Sequence, residues 1–253
     1  MARQKFGIKV IGTLDDINFQ RTGGKDIVKL KGGVEKARIM TDEKFVRTRE
    51  NMSEFGRAGN EAKGLTDALA PLIAQAYDRY YFSRLLAKMK QNLNTDVVNA
   101  RGERTIQYLG LGTLINFAFN EKAKLASILR APYATTSPGA GEISVDFPQG
   151  INPKWDIKAP ANSTRFQIGL VIAGKVTGED RYERSIIMGP ISNLDTVIAA
   201  GSFTLTTPTL PNGSYDVLVG AMGIFFGQEV NGGDYAFHNK AFNSLDIVAI
   251  YEP

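Results

Sequence analysis

The sequence contains no cysteine, one histidine (His238) and one tryptophan (Trp155). Without thiols the chain has no disulfide framework, no thiolate zinc site and no cysteine nucleophile. A single imidazole provides too few nitrogen ligands for most His-based metal sites. His238 lies in a polar stretch, Gly232–Asn239, and the chain lacks a Gly-x-Ser-x-Gly elbow that would hold a serine nucleophile. We therefore predict no enzymatic activity, no catalytic residue, no metal site and no cofactor.

Two further motifs are incomplete. Gly7-x-x-x-x-Gly12 is followed by Thr13-Leu14 where a phosphate-binding loop has Lys and Ser or Thr, so a nucleotide site is not indicated. No Asp-x-Asp-x-Asp loop is present. Calcium binding by scattered carboxylates stays open on sequence grounds, the candidates being Asp216, Glu229, Asp234 and Asp246.

Long apolar runs are also missing. No stretch approaches the roughly 18 consecutive apolar residues of a membrane span. The opening MARQKFGIKVIG is interrupted by Gly7, Lys9 and Gly12, so it lacks the apolar region of a secretory signal. We expect no membrane span and a cytoplasmic location, with release as part of a particle left open.

Charge is divided unevenly along the chain. Residues 1–130 carry 23 Lys and Arg against 14 Asp and Glu, whereas residues 131–253 carry 7 against 12. Such asymmetry predicts two surfaces with different partners. The basic half could bind nucleic acid, or it could meet the acidic half of a neighbouring copy in a head-to-tail contact. A third interpretation is that both halves present ordinary solvated faces.

The N-terminal segment predicts a small antiparallel meander. Gly23-Gly24 separates two strand-prone runs, and paired glycines favour the turns with positive φ that close hairpins. A sheet this small is marginal alone, so it must pack on helices or on another subunit. The three predicted strands are Ile8–Leu14, Ile17–Arg21 and Ile27–Lys31.

Helical periodicity follows. Thr41 is a predicted N-cap, and its helix is predicted to end around Gly56–Gly59. A second amphipathic pattern runs from Leu65 to a stop at Asn94, with a break expected just before Pro71. The polar segment Thr95–Arg104 is predicted to be a linker or exposed loop.

From about Leu114 the period changes to two, which predicts strands. Short strands separated by turn clusters favour an antiparallel sandwich. The predicted fold is α+β: a β-hairpin plus helical module in residues 1–104, then an antiparallel β-sandwich, jelly-roll or Ig-like, in residues 105–253. We also predict that residues 110–253 fold alone. The predicted strands are Leu114–Asn120, Glu142–Phe147, Arg165–Ala173, Tyr182–Met188, Thr196–Ala199, Ser202–Thr206, Ser214–Phe226 and Ser244–Tyr251, with a short helix within Lys122–Arg130.

The stretch Thr48–Gly56 (TRENMSEFG) follows a turn at Lys31–Val34 and the opening MARQK. In these segments the chain resembles a family of uncharacterised proteins encoded in Bacteroidota genomes. The resemblance covers the N-terminal hairpin and helices, and the strand-rich half loosely. It implies a bacterial source and a basic hairpin-plus-helix module joined to a variable β domain, and it supplies no catalytic residue.

These observations predict a non-enzymatic structural subunit that self-associates into a filament, a tube or a virion-like particle. The alternative is a nucleic-acid-associated protein, and a third hypothesis is a β-sandwich that binds a glycan or small ligand. The predicted assembly contacts are Ile8, Val10, Ile17, Phe19, Ile27, Arg47 and Arg49. The predicted nucleic-acid contacts are Arg79, Arg84, Lys88 and Lys90, where basic residues alternate with aromatic ones.

Overall fold

The computed structural model describes residues 2–3, 9–137, 141–237 and 241–252. The chain divides into two compact units, Met1–Met52 and Ser53–Pro253. This division lies inside a long helix, Val46–Ile73, which contributes its first turns to one unit and its remainder to the other. The change in periodicity predicts a domain boundary at residue 104. That the parts before and after it are separate domains stays a prediction.

The N-terminal unit contains a four-stranded antiparallel sheet in the order β1-β4-β3-β2. Gly23 and Gly24 have φ of 57° and 75°, so the predicted Gly-Gly hairpin is confirmed. Of the predicted first strand only its last three residues are extended, and Ile8 lies outside the described residues. The strands are β1 (Ala2–Arg3), β2 (Gly12–Leu14), β3 (Ile17–Thr22) and β4 (Lys25–Leu30).

Two helical segments follow, α1 (Lys36–Thr41) and α2 (Val46–Ile73), joined by a 3-10 turn. The prediction of Thr41 as an N-cap is wrong, since it ends α1 and its hydroxyl donates to the Ala37 carbonyl. Asp42 caps the turn instead, accepting the Lys44 N–H at 2.9 Å. A carboxylate is favoured there because it also interacts with the positive end of the helix dipole.

Helix α2 continues through Gly56 and Gly59, so the predicted end at these glycines is wrong. Each glycine costs about 1 kcal/mol in a helix. Burial of Leu65, Leu69 and other side chains on one face of α2 outweighs that cost. Pro71 lies in the last turn, and the helix ends at Ile73. Helix α3 spans Tyr81–Leu93, and Asn94, the predicted stop, is its C-cap.

The second unit holds two antiparallel sheets, so the fold is α+β. One sheet has six strands in the order β12-β11-β7-β8, with β13 also paired to β11 and β9 to β7; the other has the order β10-β6-β5. The strands are β5 (Ala134–Thr136), β6 (Ser144–Asp146), β7 (Arg165–Val176), β8 (Tyr182–Met188), β9 (Ser192–Asn193), β10 (Thr204–Thr206), β11 (Tyr215–Val230), β12 (Gly233–Ala236) and β13 (Ser244–Tyr251). Two short helices, α4 (Leu125–Ile128) and α5 (Pro153–Asp156), lie between strands.

Two predicted strands are wrong. The segments 114–120 and 196–199 form only isolated bridges, Ala118 to Asp246 and Ile198 to Ile151. In the first segment, Asn116 has φ of 66°, which interrupts an extended backbone. The predicted bounds of β8 and β13 are confirmed, and the short helix predicted within Lys122–Arg130 is α4.

The six-stranded sheet is buried on both faces. One face, which carries Ile168, Leu170 and Ile172, packs with Val145 and Leu205 of the three-stranded sheet in one core cluster. The opposite face packs on α2 and α3. Its buried side chains are Val171, Ala173, Val217, Val219, Ala221, Phe225, Leu245 and Ile247, and the helices contribute residues that include Leu65, Leu69, Leu72, Leu85, Met89 and Leu93.

Asp246 lies between Leu245 and Ile247 in β13, so its carboxyl projects to the other side of the sheet, toward Leu125 of the first core cluster. It is 6% exposed, and its Oδ2 accepts the Leu125 N–H at 2.9 Å. Its Oδ1 has no hydrogen-bond partner among the described residues. Burial raises the pKa of Asp246 to about 7, and the hydrogen bond from Leu125 and the charge of Lys124 only partly oppose the shift.

We expect residues 110–253 expressed alone to aggregate, contrary to the sequence-based prediction. Removing α2 and α3 uncovers most of a sheet face with eight buried apolar side chains, because only Leu111, Leu114, Phe117 and Phe119 of the same cluster remain in the fragment. The loss costs on the order of 10 kcal/mol. That is comparable to the whole net stability of a domain, about 5–15 kcal/mol. Size-exclusion chromatography and thermal unfolding should show a folded species for residues 53–253 but not for 110–253. A cooperative melt of the shorter fragment near that of the longer one would contradict this expectation.

We expect Asp246→Asn to stabilise the protein at pH 8 but not at pH 4. The folded carboxyl binds its proton more tightly than the unfolded one, so wild-type stability falls as pH rises from about 4 to about 7. The asparagine does not titrate, and at about 1.4 kcal/mol per pH unit its advantage reaches at most about 4 kcal/mol. Urea unfolding at both pH values measures it, with exposed Asp195→Asn as the control. An equal effect of Asp246→Asn at both pH values would refute the assignment.

Candidate assembly surface

One face of the N-terminal sheet is apolar. In the strand register Leu14 lies opposite Ile17, which lies opposite Leu30, and Phe19 lies opposite Val28. Directly paired residues of an antiparallel sheet project to the same side. These five residues therefore form one continuous surface, which we call the apolar sheet face.

The other face of the same sheet is polar. It carries Thr13, Asn18 and Lys29 in register, and Asn18 donates a hydrogen bond to the Thr13 hydroxyl at 3.2 Å. Ile27 also projects to this side, so the structure separates this predicted contact from Ile17 and Phe19. Val10 precedes β2 and is 49% exposed.

The hairpin end of the sheet is fixed by charge pairs. Asp26 lies 2.8 Å from Lys9 Nζ and 3.9 Å from Arg21 Nε. The hydrogen bond from Lys9 lowers the pKa of Asp26, although partial burial opposes it. The carboxylate therefore stays ionised at neutral pH and links Lys9 to the β3–β4 hairpin.

The two predicted arginine contacts differ in their surroundings. Arg49 donates to the carbonyl oxygens of Ile39 and Asp42, at 2.7 and 2.9 Å. It therefore ties the end of α1 to the start of α2 and is a structural residue. Arg47 pairs with Glu50 at 2.9 Å, and its side chain is 71% exposed, so it remains accessible to a partner.

Within the described part of its own unit, the apolar sheet face is largely exposed, with Phe19 and Val28 only partly buried. None of the described residues 9–52 is buried, although this unit is folded. Leu14 is 69%, Ile17 39% and Leu30 76% exposed. A contiguous apolar patch of several side chains on a folded surface marks an interaction site.

The predicted nucleic-acid contacts are largely engaged inside the second unit. Arg84 pairs with Asp78 at 2.9 Å and donates to the Ala118 carbonyl. Lys90 forms an ion pair with Glu54, which is only 1% exposed. These two cations therefore join elements of the second unit, and their role as nucleic-acid contacts stays a prediction.

The other two cations are more accessible. Arg79 stacks on the ring of Tyr80, with its guanidinium carbon 5.7 Å from the ring centroid. Lys88 is exposed and lines a groove of about 400 Å³ together with Arg84 and Glu121. A carboxylate in the same groove weakens its attraction for phosphate.

A further polar cluster was missed in the sequence. Glu61 on α2 accepts a hydrogen bond from the Tyr182 hydroxyl at 2.6 Å and lies 3.3 Å from Lys175 Nζ. Lys175 also pairs with Asp180 at 3.1 Å. Burial, then the charge of Glu61, raises the pKa of Tyr182 well above its usual value, so the phenol stays protonated.

This cluster borders a groove of about 480 Å³ that also includes Tyr108 and Asp216. Lys175 and Glu61 neutralise each other, and both are less than 10% exposed. They join α2 to β7 across the sheet. The sequence clue to this cluster is Lys175, a lysine in a strand of mostly apolar residues. Its partner Glu61 lies 114 residues away, so no local pattern connects the two.

The described ranges contain no group of three or more His, Asp or Glu side chains arranged to hold a metal ion. Asp216, Glu229, Asp234 and Asp246, the carboxylates named for calcium, are therefore not gathered into one such group. His238 lies outside the described residues. None of the helices in the described part of the chain has the length and apolarity needed to cross a bilayer.

Comparison with known proteins gives no relative: no family model, no curated protein and no solved structure matches the chain. The functional inference therefore depends on the geometry of the surfaces described above.

Proposed function

We propose that this protein is a non-enzymatic structural subunit that self-associates through its N-terminal unit. The observation that carries the proposal is the apolar sheet face, on which Leu14, Ile17 and Leu30 are exposed. None of the described residues 9–52 of this unit is buried. A sheet of this size gains stability when a second molecule covers its apolar side.

The size of the face fits a protein partner. An aliphatic side chain offers roughly 100 Å² of apolar surface, so five side chains give about 500 Å². A stable interface buries about 800 Å² on each partner. The apolar sheet face can therefore be the centre of an interface whose rim comes from neighbouring polar residues such as Arg21, Asp26 and exposed Arg47.

The second unit has a complementary part in this proposal. Its two sheets share one core, which supports the sandwich interpretation, in the jelly-roll or Ig-like form, as a proposal for its topology. In its two charged clusters, Glu54 pairs with Lys90 and Glu61 pairs with Lys175. They support a structural role for these groups. We propose that this unit forms the body of the subunit and the N-terminal unit its connection.

We expect Leu30→Asp to weaken self-association at least tenfold, because it places a charge on the apolar sheet face. Leu30 is 76% exposed, so the subunit itself should still fold. Sedimentation velocity and light scattering over a concentration series measure the association.

Leu109→Asp is the matched control, since Leu109 is 78% exposed but lies in the second unit. Association should remain as in the wild type. A wild-type protein that stays monomeric at high concentration and low salt would rule out the proposed function.

A further inference from the structure

Val97 and Val98 are the two most exposed large apolar side chains among the described residues, at 93% and 88%. They are adjacent, and they lie in the polar segment Thr95–Arg104 that follows α3. Single exposed apolar residues are common on protein surfaces. Two adjacent β-branched residues at nearly full exposure need an explanation, since they gain no burial where they are.

The loop that presents these valines is held rigid by Asp96. This residue is 2% exposed, and its carboxylate accepts the N–H groups of Val98, Asn99 and Thr105 at 2.9–3.1 Å. The Asn99 side-chain amide adds a bond of 2.8 Å. The Asn99 side-chain bond, together with these backbone bonds, holds the pKa of Asp96 far below its usual range, so the carboxylate keeps its bonds at neutral pH.

The base of the loop is fixed by a second set of buried bonds. Arg57 donates to the carbonyl oxygens of Gly102 and Arg104, and Glu54 accepts the Gly102 N–H at 2.8 Å. Asn92 closes the base, donating to the Gln107 carbonyl and accepting the Gln107 N–H. The valines are therefore presented on an ordered loop, and binding them costs little conformational entropy.

Charge favours a contact between unlike units of two copies. Residues 1–52 contain 12 Lys and Arg against 7 Asp and Glu, whereas residues 53–253 contain 18 against 19. Pairing two N-terminal units face to face would bring two positive units together. The second unit of a neighbouring copy carries no such repulsion, so it is the better cover for the apolar sheet face.

We propose that the Val97–Val98 loop of one copy docks on the apolar sheet face of a second copy, forming a head-to-tail contact. This inference rests on the proposed function and names the surface that receives the N-terminal unit. The valines add roughly 200 Å² of apolar surface, which is too little for an interface alone but matches the centre of the uncovered sheet. Because the two surfaces differ, each copy can bind two neighbours, and the assembly closes into a ring or extends as a filament.

Two variants test the contact by complementation. The first, Leu30→Asp, disables the sheet face and keeps the loop; the second, Val97→Asp with Val98→Asp, disables the loop and keeps the sheet face. We expect each variant alone to be monomeric by sedimentation velocity. We expect their equimolar mixture to form a one-to-one dimer, since each supplies the surface that the other lacks and the chain of contacts then stops.

Val197→Asp, at a position 60% exposed elsewhere in the second unit, is the control and should assemble as the wild type. Thermal unfolding of all variants verifies that they are folded. Normal assembly of the loop variant alone would overturn the inference while leaving the proposed function intact. A mixture that stays monomeric would also overturn it. A monomeric wild type would remove the proposed function itself.

Discussion

The pairing of β7 with β11 is the constraint on which the second unit depends. After an irregularity between Tyr215 and Val217, the two strands stay in antiparallel register from Val217 opposite Lys175 to Gly227 opposite Arg165, and nearly every side chain between is buried. A sheet that is apolar on both sides needs a cover on each. The three-stranded sheet covers one face, and α2 with α3 covers the other. Gly220 permits the first contact, since a Cβ at this position would lie 2.2 Å from Ile143 Cδ1.

The N-terminal unit presents the opposite situation. Its sheet has one apolar face and one polar face, and Leu14, Ile17 and Leu30 of the apolar face are exposed. Its order comes from its tight turns, from the ion pair between Lys9 and Asp26, and from the hydrogen bonds that Arg49 donates to backbone carbonyl groups. The same chain thus joins a unit with a buried core to one in which none of the described residues 9–52 is buried, and this contrast is the basis of the assembly proposal.

The sequence predicted the long strands well because burial of one or both faces leaves a clear periodicity, as in Arg165–Ala173. It failed where tertiary contacts outweigh local preference: burial carries α2 through Gly56 and Gly59, and Asn116 interrupts a strand-like run. Alternation along β3 predicts that Ile17 and Phe19 project to the same face of the sheet. That Ile27 projects to the opposite, polar face depends on the register of β4 against β3, which the sequence alone does not determine. The roles of Arg49, Arg84 and Lys90 depend on partners distant in sequence or on backbone carbonyls, which leave no pattern.

The order of these elements along the chain has a consequence for synthesis. The N-terminal hairpins contain only local contacts, so they can close as soon as they leave the ribosome. Helix α2 is made next, but the strands that cover its apolar stripe, β7 and β11, follow roughly 100 and 150 residues later. At 5–20 residues per second, that interval is on the order of 10 seconds. Under the proposed assembly, nascent chains on one polysome display the apolar sheet face before their second units are folded, and neighbouring chains must then be kept apart until β7 and β11 are made.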